Sequence, residues 1–389
     1  MEPEAPVAEA LPPEPVVPPA PAAPTPSLEQ FEFTGKAGEY FGIWIVNLFL
    51  TIVTLGIYSA WAKVRKKRYF YGNTWVAGAN FDYHGNPVAI LKGRLIAFAA
   101  FAAYTAAGYY SPKLAAAIAV AFAPLVPWFL VRSFAFNAFN SSYRNLRFHF
   151  RASYREGLAA TWPFLLLPVL VLVLPQVDPA EPPKELSMAL AIGMFLPPLV
   201  LAAFYPFVVA RVNRLRIERG RYGAASFATT ASTPEFYGIY VIAGILIVGV
   251  FVGLALLGAA IFLAPAFADV LGFVLMGVYF LAFASVFAFT RSRVANLVFN
   301  STRLGDRVRF KSALRARSLA RIYVTNILAI VCTLGLLVPW AAIRTARYRA
   351  ACLQLECVGG LDSFASQAAA NVSATGEEMG DMFDVDLSL

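Results

Sequence analysis

The sequence predicts an all-α polytopic membrane protein: a parallel-repeat bundle of six spanning helices plus two re-entrant helical hairpins, with short cytoplasmic β segments between the units. Three observations carry this expectation. Hydrophobic residues make up 59% of the 389 and charged residues only 14%, against roughly 25% charged in a soluble domain. Six apolar segments have the length of about 20 residues that crosses a hydrocarbon core of roughly 30 Å. A short aromatic–arginine pattern recurs behind each hydrophobic unit.

The chain opens on a Pro/Ala/Glu-rich stretch with no basic n-region and no apolar core, so a cleaved signal peptide is not expected. With little to bury against its ordering entropy, 1–28 is expected to be a disordered tail. Residues 366–389, ending with Glu377, Glu378, Asp381, Asp384 and Asp386, are expected to be a disordered acidic tail. The membrane domain lies between them, over 29–365. It comprises five hydrophobic units at 40–62, 94–131, 159–210, 236–289 and 322–343.

The predicted spans run from Arg94 to Tyr110, Leu114 to Val131, Ala159 to Gln176, Met188 to Ala210, Phe236 to Leu263 and Val270 to Phe289. Basic residues crowd Lys63–Arg68, Arg144–Arg155, Arg211–Arg221 and Arg291–Arg321, whereas the alternate loops carry few. By the positive-inside rule the basic segments are cytoplasmic, each pair of spans is a hairpin returning to the cytoplasm, and both termini are cytoplasmic. The net charge of +9 is accounted for by this topology and needs no nucleic acid.

An aromatic residue precedes an arginine by four positions in Trp61/Arg65, Trp128/Arg132, Phe207/Arg211, Phe287/Arg291 and Trp340/Arg344. One helical turn apart, ring and guanidinium share a face, where the ring prefers the interface and the arginine stem snorkels towards phosphates. These pairs are expected to be interfacial anchors; binding of an anionic substrate is the weaker reading. Behind them come aromatic strand-like segments, Phe81 to Tyr83 and Phe148 to Phe150, with a variant at Val308 to Phe310.

The two terminal units share the tightest repeat. Asn47, Thr54-Leu55-Gly56, Trp61-Ala62, Arg65 and Arg68-Tyr69 recur at one constant offset as Asn326, Thr333-Leu334-Gly335, Trp340-Ala341, Arg344 and Arg347-Tyr348. Arginines flank the second copy on both sides, and one straight helix cannot leave both flanks cytoplasmic. A helix–break–helix hairpin at Thr-Leu-Gly can, packed inside the bundle. The alternative is eight full spans. Asn47, Thr54, Asn326 and Thr333 then form a candidate intramembrane polar site, in which the amides are expected to bond between helices rather than to bind a solute.

The motifs Phe31-Glu-Phe-Thr-Gly35, Glu39-Tyr-Phe-Gly-Ile43, Thr54-Leu-Gly-Ile-Tyr58, Trp61-Ala-Lys-Val-Arg65, Tyr69-Phe-Tyr-Gly-Asn-Thr74 and Phe81-Asp-Tyr-His-Gly85 resemble the YjgN family of bacterial inner-membrane proteins, also known as domain of unknown function 898. The likeness extends from about Phe31 to Phe364 and departs at Ser59-Ala60, where the family tends to have Tyr-Pro. It implies an inner-membrane location and this repeat plan, and no reaction.

No Asp, Glu, Lys or Arg lies mid-segment, and no Walker loop, His-Glu-x-x-His or Gly-x-Ser-x-Gly occurs. No catalytic residue, metal site or cofactor is expected; Cys352 and Cys357 read as incidental. Gly249 and Gly253 form a Gly-x-x-x-Gly packing signature. The expected function is a non-enzymatic membrane scaffold whose basic cytoplasmic surface meets anionic lipid headgroups or a partner. The alternative is a passive transporter or channel for a small polar or lipid-like solute.

Overall fold

The computed structural model describes residues 26–174, 187–263 and 268–375. Its helices come in five units, the first four each returning to a pair of short strands and the fifth to a single one. The first unit has β1 (Pro26–Gln30) and β2 (Glu32–Phe33), then α1 (Ala37–Val53), α2 (Ser59–Gly72), β3 (Thr74–Val76) and β4 (Ala79–Tyr83). The second has α3 (Pro87–Tyr110), α4 (Pro112–Phe122), α5 (Leu125–Phe139), β5 (Ser141–Tyr143) and β6 (Leu146–Phe150). The third has α6 (Tyr154–Val173), α7 (Met188–Glu218), β7 (Gly220–Tyr222) and β8 (Ala225–Thr229). The fourth has α8 (Thr233–Leu263), α9 (Ala268–Asn300), β9 (Thr302–Leu304) and β10 (Val308–Ser312). The fifth has α10 (Ala316–Cys332), α11 (Val338–Ala351) and β11 (Leu353–Val358), and is followed by α12 (Leu361–Thr375).

Local chemistry starts the long helices cleanly. The Asn86 side chain accepts from the Val88 N–H at 2.9 Å with Pro87 as the first helical residue, and Ser153 and Glu156 form a capping box. Among the described residues five helices, α3, α6, α7, α8 and α9, are long and apolar enough to cross a membrane. The span predicted from Leu114 to Val131 is instead the bent pair α4 and α5, meeting at 47° beside Pro124. The end of the third predicted span, at Pro175 and Gln176, lies outside the described residues.

The strands depart most from expectation. Rather than separate segments attached to an all-α protein, they form one antiparallel sheet in the order β1-β11-β10-β9-β8-β7-β6-β5-β4-β3-β2. Both ends of that order are one stretch of chain, because only Phe31 separates β1 from β2. β1 pairs with β11, β2 pairs with β3, and the Phe31 N–H donates to the Leu353 carbonyl at 3.1 Å. The sheet therefore closes on itself as a barrel through this one stretch of chain. Tight turns make the short hairpins possible, with positive φ at Ala77 and Gly78, at Arg144 and Asn145, and at Gly223.

Alternation along each strand directs one face inward. Val76, Tyr143, Tyr222 and Leu304, each just before a turn, are buried, and Phe81, Phe148, Phe227 and Phe310 pack against them with Phe31 supplying a fifth ring. The Tyr222 hydroxyl donates to the Tyr143 carbonyl at 3.0 Å, and the Tyr143 hydroxyl to the Val76 carbonyl at 2.8 Å, so the hydrogen bonds step from one unit to the next. α12 adds Leu361, Phe364, Ala365 and Ala368 to the same core and is tethered by an Arg144–Asp362 ion pair. The tail boundaries consequently move: Pro26–Leu28 belong to β1, and 366–375 belong to α12. The remainder of both tails, 1–25 and 376–389, lies outside the described residues.

The helices also close a ring. Each unit packs on the next, and α11 of the last unit packs on α1 of the first, as β11 pairs with β1. The two short helix pairs are therefore neighbours.

Candidate functional site

Both terminal helix pairs break in the same way. Gly56 N–H donates to the Thr51 carbonyl at 2.8 Å and Leu55 N–H to Ile52 at 3.1 Å; Gly335 donates to Ile330 at 2.8 Å and Leu334 to Val331 at 3.1 Å. This is the Schellman pattern, with left-handed φ of 50° at Leu55 and 49° at Leu334. The Thr54 hydroxyl donates to the Leu50 carbonyl at 2.7 Å and accepts from the Tyr58 N–H at 2.9 Å. Thr333 donates to Ala329 at 2.6 Å and accepts from Leu337 at 3.2 Å. Thr54 and Thr333 thus hold the turns. The far ends of each pair are clamped together: the Tyr69 hydroxyl accepts from the Lys36 N–H and donates to the Lys36 carbonyl, and Tyr348 does the same with Arg315.

Asn47 and Asn326 are both buried, yet they do not bond each other. The Asn326 amide donates to the Ala341 carbonyl at 3.2 Å and the Thr345 hydroxyl at 3.1 Å, and its oxygen accepts from Arg344 at 3.1 Å. All three partners belong to α11, so the amide joins the two arms of its own hairpin. Asn47 Oδ1 is buried with no partner among the described residues. Its hairpin has Lys66 in the place of Thr345 and Tyr58 in the place of Leu337, and Arg65 donates to the Tyr58 hydroxyl at 3.1 Å.

The aromatic–arginine pairs adopt the stacked geometry in four of five cases. The guanidinium carbon lies 5.7 Å from the Trp128 ring for Arg132, 5.3 Å from Phe207 for Arg211, 6.0 Å from Phe287 for Arg291 and 5.1 Å from Trp340 for Arg344. Trp61 instead stacks on Tyr58, to which its arginine has turned. Trp340, Arg344, Arg347 and Lys36 border a pocket of about 460 Å³ at the seam between the last and first units. Gly249 and Gly253 have nothing within 4 Å of a Cβ position, so they make no close helix contact among the described residues.

Two features escaped the sequence reading. At the junction of bundle and barrel, Lys67 bonds Asn137 and lies 4.5 Å from the centre of the Tyr83 ring. Burial, with Lys63 and Arg216 nearby, pushes its amine down to about 8. The run Lys63, Lys66, Lys67 was its only signal. The second is a cavity of about 690 Å³ between α2, α9, α10 and α11, lined by Phe283, Phe287, Tyr323 and Asn326 with Lys66 and Arg349. His84 bonds Ser142 at 2.9 Å and His149 meets the edge of Phe139, so the histidines share no partner. Among the described residues no group of three or more His, Cys, Asp or Glu side chains converges as a metal site would require.

Comparisons with known proteins agree in naming no reaction. A protein of Salmonella typhimurium named inner membrane protein YjgN is 26% identical over 360 residues, covering 85% of this chain and 89% of that protein. Proteins of the same name from Escherichia coli O157:H7 and strain K12 are each 30% identical, over 37% of this chain and 35% of theirs. No solved structure matches. The family model for a bacterial protein of unknown function (DUF898) matches residues 28–382, and the chain belongs to that family.

Proposed function

We propose that this chain is a non-enzymatic scaffold of the bacterial inner membrane, in which the helix ring carries a closed barrel on the cytoplasmic face for lipids or a partner to engage. The observation that carries the reading is the filled barrel. Val308 and Cys357 are wholly buried in its core, the phenylalanines of successive units stack, and α12 packs Leu361, Phe364, Ala365 and Ala368 into the same cluster. A solute path along the barrel axis would have to displace a packed aromatic core.

Location and orientation rest on other grounds. The YjgN relatives are named inner membrane proteins. The basic segments Lys63–Arg68, Arg144–Arg155, Arg211–Arg221 and Arg291–Arg321 all fall at the barrel end of the helices, which the positive-inside rule assigns to the cytoplasm. The tyrosine clamps hold both ends of α1–α2 and of α10–α11 at that end, which supports re-entrant hairpins. Their tips carry Leu55 and Leu334, 94% and 95% exposed in a left-handed backbone. A bare leucine there is unfavourable in water and favourable in hydrocarbon. Lys36, Arg344 and Arg347 beside Trp340 supply a basic, lipid-facing surface.

The test is reconstitution of the full chain into vesicles loaded with carboxyfluorescein and, separately, with potassium ions. The expected result is release no faster than from protein-free vesicles. Protein-dependent release of either solute would overturn the scaffold reading in favour of the passive channel.

A further inference from the structure

We infer that the cavity between α2, α9, α10 and α11 is a binding site for one anionic glycerophospholipid drawn from the bilayer. The inference rests on the proposed placement of the hairpin tips in the membrane, and it adds a specific occupant to the lipid-facing role.

The cavity has a direction. At its barrel end are Arg349, two residues before the end of α11, and Lys66, in the last two turns of α2. At its other end are Ile330 and Val338, on either side of the break at Thr333-Leu334-Gly335. From Val338 to Arg349 a helix rises about 16 Å, and the wall between is mostly apolar, built largely by Phe283 and Phe287, with Asn326 and Thr345 bonded to each other as its polar members. No Asp or Glu lines the cavity, and neither Lys66 nor Arg349 is ion-paired with a carboxylate among the described residues. An occupant must therefore be anionic at the barrel end and apolar along its length. That is the orientation of a phospholipid in the leaflet beside the barrel.

The ring also leaves a way in. α1 and α10 have 17 residues each, against 31 in α8 and 33 in α9. They reach about 26 Å from the barrel, where the long helices reach about 50 Å. Because the short pairs are adjacent, no helix among the described residues stands between α9 and α3 beyond Leu55 and Leu334. A lipid can enter there sideways, tails trailing into the bilayer. α2 and α9 both line the cavity although the last unit, α10 and α11, lies between them in the ring.

The test is native mass spectrometry of the delipidated full chain in detergent, titrated with dioleoyl phosphatidylglycerol and, separately, dioleoyl phosphatidylethanolamine. One phosphatidylglycerol should be retained at least about tenfold more tightly than phosphatidylethanolamine. Replacing both cations, Lys66→Ala with Arg349→Ala, should weaken it about thirtyfold, the factor for two headgroup cations. Ala342→Phe, which fills the cavity without touching charge, should abolish the tight site, while Lys113→Ala, on the α3–α4 side, should change nothing. Equal retention of the two lipids, or phosphatidylglycerol binding undiminished by Ala342→Phe, would overturn the proposal. If the double alanine variant fails to fold, Ala342→Phe alone decides. Vesicle leakage with selective lipid binding would sink the scaffold reading and leave this site standing; tight vesicles without selective binding would do the reverse.

Discussion

Arg344 donates to Asn326 Oδ1 at 3.1 Å, whereas Arg65, its counterpart in the first hairpin, has turned to Tyr58 and leaves Asn47 Oδ1 buried without a partner among the described residues. The two hairpins share a backbone and differ in their polar interior. A buried amide oxygen without a hydrogen bond costs about 1–3 kcal/mol, and removing one member of a satisfied network costs about the same. Asn47→Leu should therefore raise the melting temperature of the purified protein, and Asn326→Leu should lower it. Since the amides do not touch, the double variant should show the sum of the two shifts. A partial rescue in the double would instead mean that they meet across a seam.

Closure of the barrel makes a covalent prediction. Ser27 in β1 is directly opposite Cys357 in β11, so Ser27→Cys should form a disulfide with Cys357 under mild oxidation. With a protease site inserted within 175–186, the cleaved halves should stay joined on a non-reducing gel and separate on reduction. Two separate bands in the oxidised sample would open the barrel at this seam.

The helical units, the breaks at Thr-Leu-Gly and the meeting of aromatic ring and arginine were legible because each depends on local spacing: Trp128 and Arg132 meet because one helical turn puts them on one face, although each helix runs on past its arginine. The barrel was not. Its strands of two to six residues show only as Phe-x-aromatic fragments, and what makes them a barrel is the pairing of Pro26–Gln30 with Leu353–Val358 from the far end of the chain. Nothing in a proline-rich flank signals that partner. The same limit applied to the candidate site. Equal spacing of Asn47 and Asn326 suggested equal roles, but the differences that decide their bonding, Tyr58 for Leu337 and Lys66 for Thr345, lie on the opposite helix.

His149 gives a pH dependence. Burial in β6, reinforced by Arg151 and Arg147, holds its imidazole below the ordinary value of 6.5. The unfolded chain then binds a proton in a range where the folded chain does not, so stability is complete above about 6.5 and falls as pH drops from there towards the folded value. Phe should be tolerated at this position, where the ring already meets the edge of Phe139. The decline in melting temperature between pH 7 and pH 5 should be shallower in His149→Phe. Parallel declines in the two proteins would mean that this residue does not contribute.

The last prediction concerns α12, which holds Phe364 and Leu361 in the same core as Cys357. That thiol is wholly buried, and burial raises it above its usual range, so it should react with a maleimide only when the barrel mouth opens. Cys352, half-buried at the end of α11, is the internal reference. Deleting 361–389 should speed alkylation of Cys357 relative to Cys352 by at least about tenfold, because a local opening no longer has to displace the helix. Phe364→Asp should do the same with the chain intact. Asp362→Ala removes the ion pair to Arg144 while leaving that arginine's bonds to the Tyr143 hydroxyl and the Ala77 carbonyl in place, and should have a smaller effect of the same sign. Peptide mass spectrometry after timed labelling reads all four proteins. A folded truncation in which Cys357 stays as protected as in the full chain would mean that the strands alone seal the barrel and that α12 is not its plug.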